Sequence, residues 1–189
     1  NARLAQGHVT LLLIGDSITQ GWEGKGKNVW EQFYGKRNAV NLGIGGDRTQ
    51  HVLWRLDNGN IKGISPKLAV IMIGTNNSGT NTPEEIFDGN RAIVERLRKA
   101  LPDMNILVLG IFPRGAVPSD GRRQVNEKAN AMISKLADGK HVHYLDIGKH
   151  FLQEDGTLTR EIMPDLLHLS EKGYTIWAEA IEPSLLKLL

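Results

Sequence analysis

Four short clusters carry the residue types that chemistry would need. They are Gly15-Asp16-Ser17, Gly45-Gly46-Asp47, Gly74-Thr75-Asn76-Asn77 and Asp165-Leu166-Leu167-His168. A serine hydroxyl is a weak nucleophile until a neighbouring base takes its proton. Glycine backbone amides and a side-chain amide are the donors that hold a developing oxyanion. Of six histidines, His168 has an orienting carboxylate at a useful spacing. If Pro164 to His168 form one helical turn, Asp165 and His168 face the same way. Asp165 then fixes the imidazole tautomer, and the other ring nitrogen is left to take the Ser17 proton.

Each cluster also has a plainer reading. Ser17 could simply cap a helix after a strand. Gly45-Gly46 could be a tight turn that needs positive φ, and Asn76 a turn residue bonded to its own backbone. An isolated D-x-x-H is commonly a surface turn. His141 and His143 share a strand face but lack a third metal ligand and read as a solvated edge; His51, near Trp54, reads as packing or surface. Arg48 beside Asp47 reads as a structural or solvated charge, and Asp16 as the residue that fixes the turn aiming Ser17. What strengthens the catalytic reading is that all the parts fall in a consistent order on one edge of one predicted sheet.

That edge follows from the elements. Val9 to Ile14 is an apolar run of strand length that ends abruptly at Gly15-Asp16-Ser17, and such runs read as parallel strands covered on both faces. Ala39 to Ile44, Leu68 to Ile73 and Met104 to Gly110 repeat the pattern, and His141 to Asp146 alternates as an edge strand would. Between them lie helical segments at Val29–Tyr34, around Val52, Leu53 and Leu56, from Thr82 to Leu97, and from Arg122 to Leu136. Thr82, Pro83 and Glu85 form the clearest helix start. Ser170 caps a last helix whose apolar face holds Trp177, Ile181 and Leu185. Asn1 to His8 read as the end of a helix. Strands alternating with helices predict a single-domain α/β fold over 1–189, a three-layer α/β/α sandwich on a five-stranded parallel sheet. Ligands bind beyond the carboxyl ends of such strands, where Ser17, Gly46 and Asn76 lie.

Composition narrows the function. The 189 residues are 40% hydrophobic and 23% charged, with a formal net charge of +2, an ordinary globular balance. No basic stripe points to nucleic acid or to an anionic membrane. With no Cys, a thiol nucleophile and a Cys-ligated zinc are excluded. The apolar runs are far shorter than the roughly 20 residues of a membrane span. No signal peptide is visible, but the chain begins at Asn1, which leaves either a cytoplasmic or an exported protein open. The dinucleotide fingerprint, phosphate loop, H-E-x-x-H and G-x-S-x-G elbow are all missing.

In their order and spacing the four clusters resemble the blocks of the SGNH, or GDSL-type, hydrolases. The stretch from Asn41 to Leu56 and Gly74-Thr75-Asn76-Asn77 resemble the branch of the intracellular platelet-activating-factor acetylhydrolase catalytic subunits. Ile18 stands where the broad pattern has Leu, and Asn77 where Asp is common. The resemblance implies a flavodoxin-like fold and a serine esterase with Ser17, Asp165 and His168 as catalytic residues. It implies an oxyanion hole of the Ser17 and Gly46 amides and the Asn76 side chain, with no cofactor or metal. Ile18, Thr75 and Leu167, flanking these groups, are expected to line the acyl pocket and to favour acetyl. The expected substrate is a small-molecule or carbohydrate acyl ester, and a homodimer is a possible state. The competing reading is a non-catalytic flavodoxin-like module that holds a phosphate or flavin at the glycine-rich edge.

Overall fold

The computed structural model describes residues 7–189. Most of the Asn1–His8 segment, read above as a helix end, lies outside the described residues; Gly7 and His8 both have positive φ and are not helical. Five strands form one parallel sheet: β1 (Leu11–Gly15), β2 (Ala39–Gly43), β3 (Leu68–Met72), β4 (Asn105–Leu109) and β5 (Val142–Leu145). Their spatial order is β2-β1-β3-β4-β5. The chain steps from β1 out to β2 and then crosses to β3 on the other side. Strand order therefore reverses between β1 and β3, the switch point where flavodoxin-like sheets open a crevice.

Every residue of β1 and β3 is buried, because helices cover both faces. The six α-helices among the described residues are α1 (Ser17–Gln20), α2 (Lys27–Phe33), α3 (Thr49–Asp57), α4 (Pro83–Ala100), α5 (Gly121–Ile133) and α6 (Glu171–Leu188). Helices α3, α4 and α5 pack side by side in one layer, and α2 packs against α6. Each fully buried Leu or Ile contributes about 1.5–3 kcal/mol relative to exposure; Leu11 to Ile14, Leu68 and Ile71 to Ile73 supply many such side chains.

The helix starts follow local chemistry. Thr82 Oγ1 accepts from the Glu85 amide and Glu85 returns a bond to the Thr82 amide, with Pro83 at the first helical position. Asp120 caps α5 and Ser170 caps α6 through the Arg123 and Gly173 amides. The predicted helix to Leu136 ends its α-helical part at Ile133 and tightens into one 3-10 turn, Ser134–Leu136.

Candidate active site

β1 delivers Ser17 to the switch point. Asp16 ends the strand and caps α1, its Oδ1 accepting from the Ile18 amide at 2.9 Å. This is the turn-fixing role expected of it. Asp16 is fully buried and its Oδ2 has no partner among the described residues. Burial pushes its carboxyl up to about 7, against the downward pull of the Ile18 amide and of His168. Ser17 takes the first helical position, so its N–H has no acceptor within the helix.

The loop after β2 comes alongside. A Cβ built on Gly45 would lie 3.9 Å from Ser17 Cβ, so this turn runs beside the hydroxyl. The positive φ expected of the glycine pair belongs to Gly46 alone, at +79°. The turn is closed by the Asp47 amide donating to the Ile44 carbonyl at 3.2 Å, a bond in which the Gly46 N–H takes no part. Gln20 Oε1 accepts from the Gly45 amide at 2.9 Å and ties the turn to α1. Asp47 is paired with Arg55, not with its neighbour Arg48. Arg55 also reaches Asn60.

The loop after β3 completes this side. Asn76 Nδ2 donates to the Asp47 carbonyl at 2.9 Å. A primary amide has two donors, so one N–H remains for the crevice. Buried Asn77 accepts from the Thr49 amide at 3.1 Å and donates to Gln50 and Asn81. It thereby locks the β3 loop to the start of α3. Gly74 sits at φ +138°, and a Cβ there would meet Ile111 at 2.6 Å; no other residue fits this bend.

Asp165 and His168 arrive from the segment before α6. The helical turn expected there does not form. Leu166 is left-handed, at φ +62°, which breaks a right-handed turn. Asp165 instead folds the backbone onto itself. Its Oδ1 accepts from the Leu167 amide at 3.0 Å and the His168 amide at 2.7 Å, and its Oδ2 lies 2.6 Å from His168 Nδ1. Partial burial pushes the Asp165 carboxyl up, but the bonds from the His168 ring and the two amides outweigh it and hold it below its ordinary range. With Nδ1–H given to this carboxylate, Nε2 carries the lone pair, and it stands 2.9 Å from Ser17 Oγ. The arrangement Ser17–His168–Asp165 has the relay geometry of a base-activated nucleophile.

The expected pocket residues divide. Thr75 and Leu167 line one cavity of about 240 Å³ together with Asn76. Ile18 does not line it; α1 turns its side chain into the core, where it is 1% exposed. Thr75 is also pinned, its Oγ1 accepting from Arg114 at 3.1 Å and Asn126 at 3.4 Å. Arg114, and Arg122 at the start of α5, are wall residues missed by the sequence reading. They lie in and just after the aperiodic Phe112–Gly121 loop, and the available signal was that this loop follows β4 at the carboxyl edge. A larger cavity of about 490 Å³, lined by Trp30, Glu31 and Asn38 among others, contains none of the clustered residues. No group of three His, Asp or Glu side chains among the described residues is placed to hold a metal; His143 sits on edge strand β5 and His141 directly precedes that strand.

A sheet of this order thus carries a hydroxyl, an imidazole and a carboxylate in one hydrogen-bonded line at its switch point. Residues 13–176 match the model of the GDSL-like lipase/acylhydrolase family. The human platelet-activating factor acetylhydrolase IB subunit alpha1 is 42% identical over 182 residues, covering 95% of this chain and 76% of that protein. The rat alpha2 subunit is 38% identical over 180 residues, covering 95% of this chain and 77% of its own length. Among solved structures, an acetylxylan esterase from Geobacillus stearothermophilus superposes with TM-score 0.76 at 19% identity, over 95% of this chain and 94% of that one. A GDSL-like lipase from Bacteroides thetaiotaomicron gives TM-score 0.76 at 22% identity, over 95% and 89%. The chain belongs to the GDSL-like lipase/acylhydrolase family and is an ester hydrolase. No described helix is long and apolar enough to cross a membrane.

Proposed function

We propose that this chain is a serine esterase that removes short acyl groups, acetyl foremost, through an acyl-enzyme on Ser17. The observation that carries the reading is the unbroken contact from Ser17 Oγ to His168 Nε2 at 2.9 Å and from His168 Nδ1 to Asp165 Oδ2 at 2.6 Å. His168 takes the Ser17 proton as Oγ attacks the acyl carbon. The carbonyl oxygen becomes an oxyanion among the Ser17 and Gly46 amides and the second Asn76 N–H. Asp165, held ionised, stabilises the imidazolium. The imidazolium then returns the proton to the departing alkoxide, and the C–O bond breaks. Water, deprotonated by His168, then attacks the acyl-Ser17 carbonyl; the C–Oγ bond breaks, the imidazolium returns the proton to Ser17 Oγ, and the acid leaves.

Acetyl is proposed as the acyl group, with Thr75 and Leu167 flanking Asn76. The acetyl-ester names of several relatives agree with it. Family membership weighs against the non-catalytic flavodoxin-like reading, which predicts no effect of Ser17→Ala. A fluorophosphonate probe and a para-nitrophenyl ester series test the proposal together. Stoichiometric labelling lost in Ser17→Ala, with acetate hydrolysed faster than butyrate and octanoate, is expected. Labelling that survives Ser17→Ala overturns the nucleophile, and a preference for octanoate overturns the acyl length.

A further inference from the structure

The cavity beside Asn76 and Leu167 holds an unusual concentration of charge. Arg48 comes from the turn after β2, Arg114 from the loop after β4 and Arg122 from the start of α5, and all three line it. No carboxylate is among its lining residues. Elsewhere Arg37, Arg55, Arg91, Arg96 and Arg123 each pair with a carboxylate within 4.0 Å, while Arg98 and Arg160 stand apart from one another and donate to the Met104 and Pro164 carbonyls. Among the described residues, Arg48, Arg114 and Arg122 have no such ion pair. Converging unpaired cations repel one another, and a fold that brings three of them together from separate loops gains stability when an anion enters.

The cluster is also built. Arg114 is half-buried, and its Nη1 donates to the Thr75 carbonyl at 3.2 Å and to Thr75 Oγ1 at 3.1 Å. That grip aims the guanidinium without neutralising it. Burial first, and then the charge of Arg122, pull Arg114 below its ordinary range, while Asp120, Asp16 and Asp165 attract it from beyond ion-pair distance. Arg122 lies across Gly79, where a Cβ would stand 3.1 Å from its Nη2; a side chain there would push the guanidinium aside. The wall is shared with the reaction centre. Asn76 belongs to both, and Leu167 directly precedes His168.

We infer that Arg48, Arg114 and Arg122 form a subsite for an anionic group carried by the ester substrate, so that the preferred substrates are acyl esters bearing a phosphate, sulfate or carboxylate close to the scissile bond. The inference rests on the esterase reading above. Guanidinium forks bind such oxyanions by charge-assisted, paired hydrogen bonds. Screening by salt weakens them only in part, because the site is partly enclosed.

The test uses one acetyl leaving-group series: phenyl acetate, para-acetoxybenzoate, para-acetoxyphenyl phosphate and para-acetoxyphenyl trimethylammonium. Wild-type kcat/KM is expected to be highest for the anionic esters and lowest for the cationic one. Arg48→Gln, Arg114→Gln and Arg122→Gln should each lower the anionic-to-neutral ratio by about tenfold, chiefly through KM, and Arg122→Glu should lower it further. Whichever of phosphate and carboxylate is preferred identifies the form of the anion. Lys172→Gln, an exposed change outside the cavity, should leave the ratio where it is and controls for overall charge. A wild type that favours the neutral ester, or a ratio unchanged in all three arginine variants, overturns the inference. Arg114 also anchors Thr75, so melting temperatures accompany the assay; if Arg114→Gln does not fold, exposed Arg122 decides the matter. Failure of the esterase reading looks different: no ester of the series is hydrolysed and Ser17 is not labelled.

Discussion

Two side chains beside Ser17 have effects that can be separated. Asn76 spends one N–H on the Asp47 carbonyl, and in the proposed mechanism the other serves the oxyanion. Asn76→Ala is therefore expected to cut kcat for para-nitrophenyl acetate by about 10²–10³ with little change in KM, and to lower stability by only about 1 kcal/mol. A kcat within a few-fold of wild type would remove Asn76 from the oxyanion set. Asp16 acts on stability. Its carboxyl titrates near the ordinary carboxylate range when unfolded and at about 7 when folded. Between those values the folded chain binds the extra proton, so the Asp16 contribution is fully present below the unfolded value and is lost as pH rises through about 7. Asn at this position can still accept from the Ile18 amide but cannot ionise. The stability of Asp16→Asn relative to wild type should therefore rise with pH by about 1.4 kcal/mol per unit across that window. Urea unfolding at pH 5 and pH 8 measures it, and a difference that does not move with pH contradicts the burial argument.

At the scale of elements, the site is made by loops that strands deliver and hydrogen bonds lock. The strands were readable because β1, β3 and β4 are unbroken apolar runs that stop at glycine or small polar residues, the pattern of a sheet covered on both faces. The clusters at their ends were readable for the same reason. The Asp165–His168 contact was expected from helical spacing, yet it is made by an Asx-type turn around left-handed Leu166; three-residue spacing brings the groups together either way, and the spacing cannot distinguish the two. Arg114 and Arg122 were not readable, because Arg114 lies in an aperiodic loop and Arg122 opens α5 as an exposed residue off its apolar face, and they meet Arg48 only through the β4–α5 connection. The turn after β2 allows a sharp test. Gly46 has φ +79° with open space around an added Cβ, whereas Gly45 has ordinary φ and an added Cβ would meet the end of the Gln20 side chain at 3.0 Å and, at ordinary contact distance, Ser17 Cβ at 3.9 Å. Gly46→Ala should lose about 1–2 kcal/mol and much of the activity, as the turn re-forms and its amide points elsewhere. Gly45→Ala, whose neighbour can swing away, should lose less of both. Equal losses by thermal unfolding and kcat would mean that the left-handed backbone is not what the turn requires.

Across the whole molecule, an aromatic layer joins the reactive edge to α6. Trp177 on α6 lies 5.0 Å from Trp22, which follows α1, and meets Phe112, which follows β4, edge-on at 4.9 Å. Trp22 in turn contacts Tyr34 and Tyr174, and the Tyr174 hydroxyl donates to the Ile18 carbonyl at 2.6 Å. The layer thus braces, from beneath, the segment that holds Ser17. Such pairing between residues far apart in the chain has no local signature; the apolar face of α6 announced that Trp177 is buried but not what it would meet. Trp177 is 1% exposed, and its indole N–H has no partner among the described residues. Two opposed terms therefore act at one position. Trp177→Ala removes the whole ring and should cost about 3–5 kcal/mol. Trp177→Phe keeps most of the ring contacts and also deletes the unpaired donor, so its cavity cost is partly offset and the loss should stay below about 2 kcal/mol. Urea unfolding of both variants, with fluorophosphonate labelling of Ser17 in each, reads packing and site geometry together. If Trp177→Phe proves as costly as Trp177→Ala, the indole N–H is bonded in solution and the layer depends on that bond more than on stacked area.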